Sequence, residues 1–136
     1  MEALLQRLSA LRLMRPPTDC ELSPPLIAAL YWISQHPGCG VQDLAEGLKV
    51  TPPTVSVGVR RLVKDGWLER RRDPNDKRAK PLYITEKSET LLAQLRMHQR
   101  AALKEFLSGL MPEEQDTFLL LFDKAVSKVE DTMRES

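Results

Sequence analysis

The run Glu69-Arg-Arg-Arg-Asp-Pro-Asn-Asp-Lys-Arg-Ala-Lys80 lies between apolar Trp67-Leu68 and apolar Leu82-Tyr83-Ile84. Two short strand-like pieces around the turn-rich Asp73-Pro74-Asn75-Asp76 read as a β-hairpin from Trp67 to Thr85. Its tip is basic, and Arg70, Arg72 and Lys77 are its candidate phosphate-binding cations. The segment just before it, residues 52 to 65, places Val55, Val59 and Leu62 on one stripe at 100° per residue, so that stripe is expected to face a core. Thr54, Val57, Arg61 and Lys64 then project oppositely, with Ser56 and Arg60 on the flanks. Gly66 supplies a left-handed stop.

Upstream, Val41, Leu44, Ala45 and Leu48 recur at helical spacing within Gly40 to Val50, which predicts a helix of about two turns closing near Gly47. Thr51 is expected to cap the next helix. A short helix, a tight turn and a basic second helix make a helix-turn-helix, in which the second helix suits a major groove. The hairpin would be its wing.

Toward the amino terminus, Leu4, Leu5, Leu8 and Leu11 predict an amphipathic helix over residues 2 to 14, ended by Pro16-Pro17. Ser23 is expected to cap a second helix that tolerates Pro24 and Pro25 in its first turn and stops at His36-Pro37-Gly38. Beyond the hairpin, Leu91, Leu92, Leu95, Ala102, Leu103, Phe106, Leu107 and Leu110 mark a long helix. Met111-Pro112 breaks it. Phe118, Leu119, Phe122, Ala125, Val126, Val129 and Met133 line a last helix, and Leu120-Leu121 broaden its apolar side beyond what one partner helix needs. That excess predicts a subunit contact. The fold class is therefore mainly α with a small β-hairpin wing, a winged helix-turn-helix joined to a helical dimerisation region.

Length and composition agree with one domain: 136 residues, of which 42% are hydrophobic and 29% charged, are enough for a proper core. No apolar run approaches the roughly 20 residues needed to cross a bilayer. Met1 to Leu8 lacks a basic leader, so the cytoplasm is the expected compartment and no membrane partner is expected. Net charge is only +1, but nine basic residues face four acidic ones between Thr51 and Lys80, a local balance of +5 against −4 elsewhere. A basic middle between acidic ends suits a molecule that presents one face to phosphates.

In this order of elements the chain resembles the MarR-type winged helix-turn-helix transcription regulators across nearly its whole length. Val41-Gln-Asp-Leu-Ala-Glu-Gly-Leu and Thr51-Pro-Pro-Thr-Val-Ser look like the family's helix-turn-helix. Asp73-Pro-Asn-Asp-Lys-Arg followed by Leu82-Tyr-Ile-Thr-Glu-Lys looks like its wing and the start of its fifth helix. The resemblance implies a homodimer built by residues 1–22 and 86–136, with 23–85 as the winged DNA-binding region. Leu4, Leu8, Leu107, Leu110, Phe118, Leu121 and Phe122 are the expected interface residues. It implies double-stranded DNA with a palindromic or pseudo-palindromic site as partner, probed by recognition helices about 34 Å apart. Ser56, Val57, Arg60 and Arg61 then sit where base and phosphate contacts are made. Arg78 matches the wing-tip arginine that enters the minor groove, with Asp76 as its steadying acid. A small effector that alters DNA affinity is also implied, with Tyr31, Trp32 and Met97 as candidate pocket residues.

The sequence departs from the family at Val57, where many relatives carry an arginine; valine can touch a thymine methyl but cannot hydrogen-bond guanine. Gly58, costing about 1 kcal/mol against alanine inside a helix, signals close approach to DNA or to a neighbouring helix. Three other readings compete. Cys20 or Cys39 could sense oxidants, although neither is flanked by bases that would depress a thiol pKa. Cys20, His36 and Cys39 are three loosely spaced zinc donors without a fourth. A protein-binding winged helix without DNA affinity would present a neutral or acidic outer face at residues 54 to 64, and here that face is basic. His98, beside Met97, reads as an interface or pocket-lining residue. No glycine-rich phosphate loop, metal-spaced cluster or Ser/His/Asp set is legible, so neither an enzyme nor a cofactor is expected.

Overall fold

The computed structural model describes residues 1–11, 17, 19–76 and 80–135. The chain divides into two compact units, Met1–His98 and Gln99–Ser136.

In the first unit the elements are α1 (Glu2–Ala10), α2 (Pro24–Gln35), α3 (Val41–Leu48), α4 (Pro52–Lys64), β1 (Leu68–Arg70), β2 (Leu82–Ile84) and the first turns of α5 (Glu86–Leu107). The α1 helix, predicted over 2–14 from its leucines, is described over Glu2–Ala10, and positions 12–16 of the sequence lie outside the described residues. Nothing in α1 is buried: Leu4, Leu5, Leu8 and Leu11 are all exposed.

The core is built from Leu30 and Ile33 of α2, Leu44 and Ala45 of α3, and Val55, Val59 and Leu62 of α4, with Trp67, Leu68 and Leu82 closing it from the hairpin. The three α4 residues are the stripe expected at helical spacing. Leu92 and Leu95 also belong to this core, which is why the compact unit extends into α5.

Leu82 is fully buried and does double work. It pairs with Arg70 in the antiparallel β1–β2 ladder. On its other side it bridges Cys39, with Leu82 N donating to the Cys39 carbonyl and Gly38 N donating to the Leu82 carbonyl, both at 2.9 Å. Cys39 thus acts as a one-residue third strand, a contact that a single residue between two helices cannot announce by periodicity. The register Leu68↔Ile84, Glu69↔Tyr83 places the expected wing where the turn residues put it.

Two helix ends differ from expectation. Ser23 and Thr51 occupy the N-cap positions of α2 and α4, but neither makes a side-chain cap hydrogen bond. The α3 helix ends at Leu48, near Gly47 as expected, with Lys49 (φ 56°) as the left-handed residue that closes it. Val50 N donates back to the Ala45 carbonyl at 3.1 Å, the long bond of a Schellman turn made without glycine. Gly47 has another task. A Cβ there would come within 2.2 Å of the Trp32 ring, so the glycine lets α2 and α3 approach. Gly58 likewise faces a neighbouring helix, its virtual Cβ 3.4 Å from Leu26 of α2.

In the second unit, Phe106 packs edge-on against Phe118 of α6 (Pro112–Glu135), with centroids 5.8 Å apart, and Phe118 stacks on Phe122 at 5.6 Å. The α5 helix ends at Leu107, so Leu110 lies in the turn that follows and not on the helix stripe. Glu114 Oε1 accepts from Met111 N at 2.9 Å and caps the start of α6. The α6 helix buries none of its residues; Leu120, Leu121, Phe122, Val129 and Met133 are all more than half exposed. Among the described residues no helix is long and apolar enough to cross a membrane.

Gly47→Ala is expected to destabilise the protein by about 1–3 kcal/mol, the usual range for overpacking a filled site, as read by urea unfolding. An unchanged midpoint would show that the Trp32 ring can move aside freely.

Candidate nucleic-acid interface

The α4 helix carries its core stripe on one side, which forces Thr54, Val57, Arg60, Arg61 and Lys64 outward; all five are exposed, and Ser56 is half-buried. Thr54 Oγ1 lies 2.9 Å from Thr51 Oγ1 and is held in the first turn. Arg60 Nε donates to the Ser56 carbonyl at 3.3 Å. Arg61 approaches Asp65 at 3.9 Å, with both side chains about half exposed or more, so the pair stabilises the fold little and yields readily to a phosphate. Val57 is 63% exposed, an apolar side chain presented to solvent amid cations.

The hairpin sorts its three described arginines. Arg71 is committed to the strands: it pairs with Glu69 at 2.7 Å, and its guanidinium carbon lies 3.9 Å from the Tyr83 ring centroid. Arg70 and Arg72 are exposed. The tip turn forms as its residues demand, Asp73 Oδ1 accepting from Asn75 N at 2.8 Å and the Asp73 carbonyl from Asp76 N at 3.3 Å. Asp76 is exposed at the edge of this turn. Lys77 and Arg78 lie outside the described residues.

The link between α4 and the wing is tightly specified. Gly66 (φ 80°) makes a Schellman turn, with Trp67 N donating to the Leu62 carbonyl at 2.8 Å and Gly66 N to the Val63 carbonyl at 3.2 Å. Side chains from the start of α5 then satisfy the carbonyls of this turn. Lys87 Nζ donates to Asp65 O at 3.0 Å, Thr85 Oγ1 to Gly66 O at 2.7 Å, and the buried Ser88 Oγ to Trp67 O. Lys87 Nζ also sits 4.1 Å from the Trp67 ring centroid. The sequence reading missed these three residues. Their one visible signal was a threonine at a helix N-cap position, which tells nothing of a partner some twenty residues upstream.

Several hollows border this unit, among them two that bear on the expected pocket. One, of about 280 Å³, is lined by Pro17, Cys20, Trp67, Lys87, Thr90 and Leu91 among others. The second is an open cleft beside Trp32, which stacks on His36 at 3.9 Å, with Cys39 and Gly47 on its walls. Of the expected pocket residues, Trp32 borders this second cleft, whereas Tyr31 and Met97 are exposed and border neither hollow. Cys20 and Cys39 face different hollows. Burial, reinforced by the charge of Asp43, pushes the Cys39 thiol pKa up, so Cys39 is poorly suited to react with oxidants. Among the described residues no cluster of His, Cys, Asp and Glu could hold a metal ion.

Of the expected subunit-contact residues, Leu4, Leu8, Leu121 and Phe122 are exposed, and Leu110 and Phe118 are half-buried. Leu107 is already buried within the single chain, so it has little left to offer a partner; periodicity marks an apolar face without saying which side of it the chain itself covers.

Comparison with known proteins places this geometry. The MarR family profile matches residues 22–80, the stretch from the start of α2 to the end of the wing tip. The transcriptional regulator HosA of Escherichia coli O111:H- is 30% identical over 107 residues, covering 79% of each chain. The chain belongs to the MarR family. A further relative, the uncharacterized HTH-type transcriptional regulator YybA of Bacillus subtilis (strain 168), is 28% identical over 112 residues, 82% of this chain and 75% of that protein. FabT of Streptococcus pneumoniae, solved in complex with DNA, shares the fold with a TM-score of 0.71 at 19% identity, over 96% of this chain and 93% of its own. The relatives are named as transcriptional regulators, not enzymes.

At pH 7.5 a thiol reagent such as Ellman's is expected to modify Cys20 well before Cys39, whose raised pKa and burial both suppress thiolate attack. Equal rates at the two positions in the native protein would contradict the placement of Cys39.

Proposed function

We propose that this MarR-family protein is a sequence-specific DNA-binding transcriptional repressor that acts in the cytoplasm as a homodimer on a palindromic or pseudo-palindromic promoter site. The observation that carries the reading is the outward face of α4, where Thr54, Val57, Arg60, Arg61 and Lys64 are exposed beside the exposed Arg70 and Arg72 of the wing. Ser56, half-buried on the flank, completes the reading face.

Val57 would meet a thymine methyl, and the arginines and lysine would meet phosphates or guanine edges. Lys77, Arg78 and Asp76, read from the sequence, would extend the grip into the flanking minor groove. A protein-docking role is less well supported, because a face with three cations in five residues of its last turns favours a polyanion.

Dimer formation is supported by the exposed apolar residues of α1 and α6, Leu4, Leu5 and Leu8 on the one and Leu120, Leu121, Phe122, Val129 and Met133 on the other, since contiguous apolar surface marks an interaction site. A two-fold dimer would carry two reading helices to successive major grooves. The 280 Å³ cavity beside Trp67 and Lys87 supports modulation by a small ligand, since a ligand that prefers one spacing of the two heads shifts DNA affinity by its differential binding.

Selection from a pool of random duplexes, followed by sequencing, tests the core of this proposal. Enrichment of an inverted repeat is the expected result, and no enrichment over the starting pool would refute it. Arg78→Ala should weaken binding to the selected duplex by about 1 kcal/mol or more with little change in folding; equal affinity in a gel-shift titration would remove Arg78 from the interface. Leu121→Glu should split or destabilise the dimer by burying an unpaired charge, and a fully dimeric, stable mutant by light scattering would move the interface elsewhere.

A further inference from the structure

Asp65, Gly66 and Trp67 leave the end of α4 with three successive carbonyl oxygens, and each accepts a hydrogen bond from a different side chain at the start of α5. Carbonyls at helix ends are ordinarily left to water or to local caps. Here the donors are Lys87, Thr85 and Ser88, from a segment separated by the whole wing. We infer that these three residues form a clasp that fixes the reading helix relative to the wing, with Lys87 as a positioning residue for DNA recognition and not as a phosphate ligand. This inference rests on the DNA-binding reading above.

The geometry separates the two roles for Lys87. Its ammonium lies 3.0 Å from the Asp65 carbonyl and 4.1 Å from the Trp67 ring centroid, so one of its three N–H donors and the face of its charge are engaged within the protein. The carbonyl it meets is at the negative end of the α4 dipole, where a cation is favoured. Thr85 is part of the same device: its Oγ1 donates to Gly66 O while the Thr85 amide reaches Trp67 O at 3.4 Å. Ser88 is completely buried, so the clasp is anchored in the core at one end and exposed at Lys87 at the other.

Fixing the two elements before DNA arrives matters because a duplex must engage α4 and the wing together. Any slack between them is an ordering cost charged at the moment of binding.

The test compares Lys87→Met, which keeps the aliphatic stem over Trp67 but loses the ammonium, with Lys87→Arg, which keeps a donor and a cation. Thr85→Val serves as an independent second variant. Against the selected duplex, Lys87→Met and Thr85→Val should each bind about fivefold more weakly, and Lys87→Arg should bind close to the parent. The slope of log affinity against log salt should be unchanged in Lys87→Met, since a lost phosphate contact would reduce it by about 0.9. Parental affinity in Lys87→Met, or a slope reduced by that amount, would overturn the inference. Amide hydrogen exchange in the free proteins reads the clasp without DNA: exchange at Gly66 and Trp67 should quicken in Lys87→Met and Thr85→Val but not in Lys87→Arg. If the parent grips no duplex, the DNA-binding reading fails by itself, and unchanged exchange in both loss variants would sink the clasp separately.

Discussion

The exit from α4 is the constraint on which the first unit depends. Gly66 turns the chain in the left-handed region, Trp67 immediately enters the core, and the carbonyls on the way are satisfied by α5. These few residues tie α4, the root of the wing and the start of α5 to one another. A bulky residue at Gly66 would strain the turn, and a polar one at Trp67 would open the core at the point where the three elements meet. Lys87, which belongs to this junction, also borders the 280 Å³ cavity, so the hollow and the reading helix share a side chain.

Much of the surface charge and exposed apolar area adds little to the stability of a single chain. The ion pairs Arg61–Asp65 and Arg71–Glu69 are exposed, and such pairs add about 0–1 kcal/mol each to folding. Arg71 is held by Glu69 and Tyr83, whereas the loosely paired Arg61 would gain more from a polyanion, where each phosphate contact releases counterions. The leucines of α1 and most apolar residues of α6 likewise stay exposed on a single chain, where α6 packs chiefly through Phe118 against Phe106. Folding within one chain is carried by the compact cluster around Leu30, Ile33, Leu44, Leu62 and Leu82.

Much of this was legible in the sequence because it is periodic or stereochemically forced. The stripe Val55, Val59, Leu62, the stop at Gly66 and the turn at Asp73–Asp76 each follow from spacing or from residue type alone. What stayed hidden depends on segments far apart in the chain. Cys39 becomes a strand only because Leu82 arrives beside it, and Thr85, Lys87 and Ser88 become a clasp only because the hairpin returns them to α4. The packing role of Gly47 was also hidden, because glycine near a helix end reads as a left-handed stop, whereas here Lys49 takes that conformation and Gly47 makes room for the Trp32 ring. Apolar residues alone could not distinguish a pocket wall from an open surface, and Tyr31 and Met97 prove exposed.

The central claim is that α4 and the wing present one continuous basic reading surface, doubled by two-fold symmetry. Hydroxyl-radical footprinting on a duplex carrying the selected site examines it most directly. The account predicts protected patches on one face of the duplex, repeating at about one helical turn, roughly 34 Å, with flanking minor-groove protection that fades when Arg78 is replaced. Protection confined to a single patch, spread evenly around the helix, or absent would contradict it.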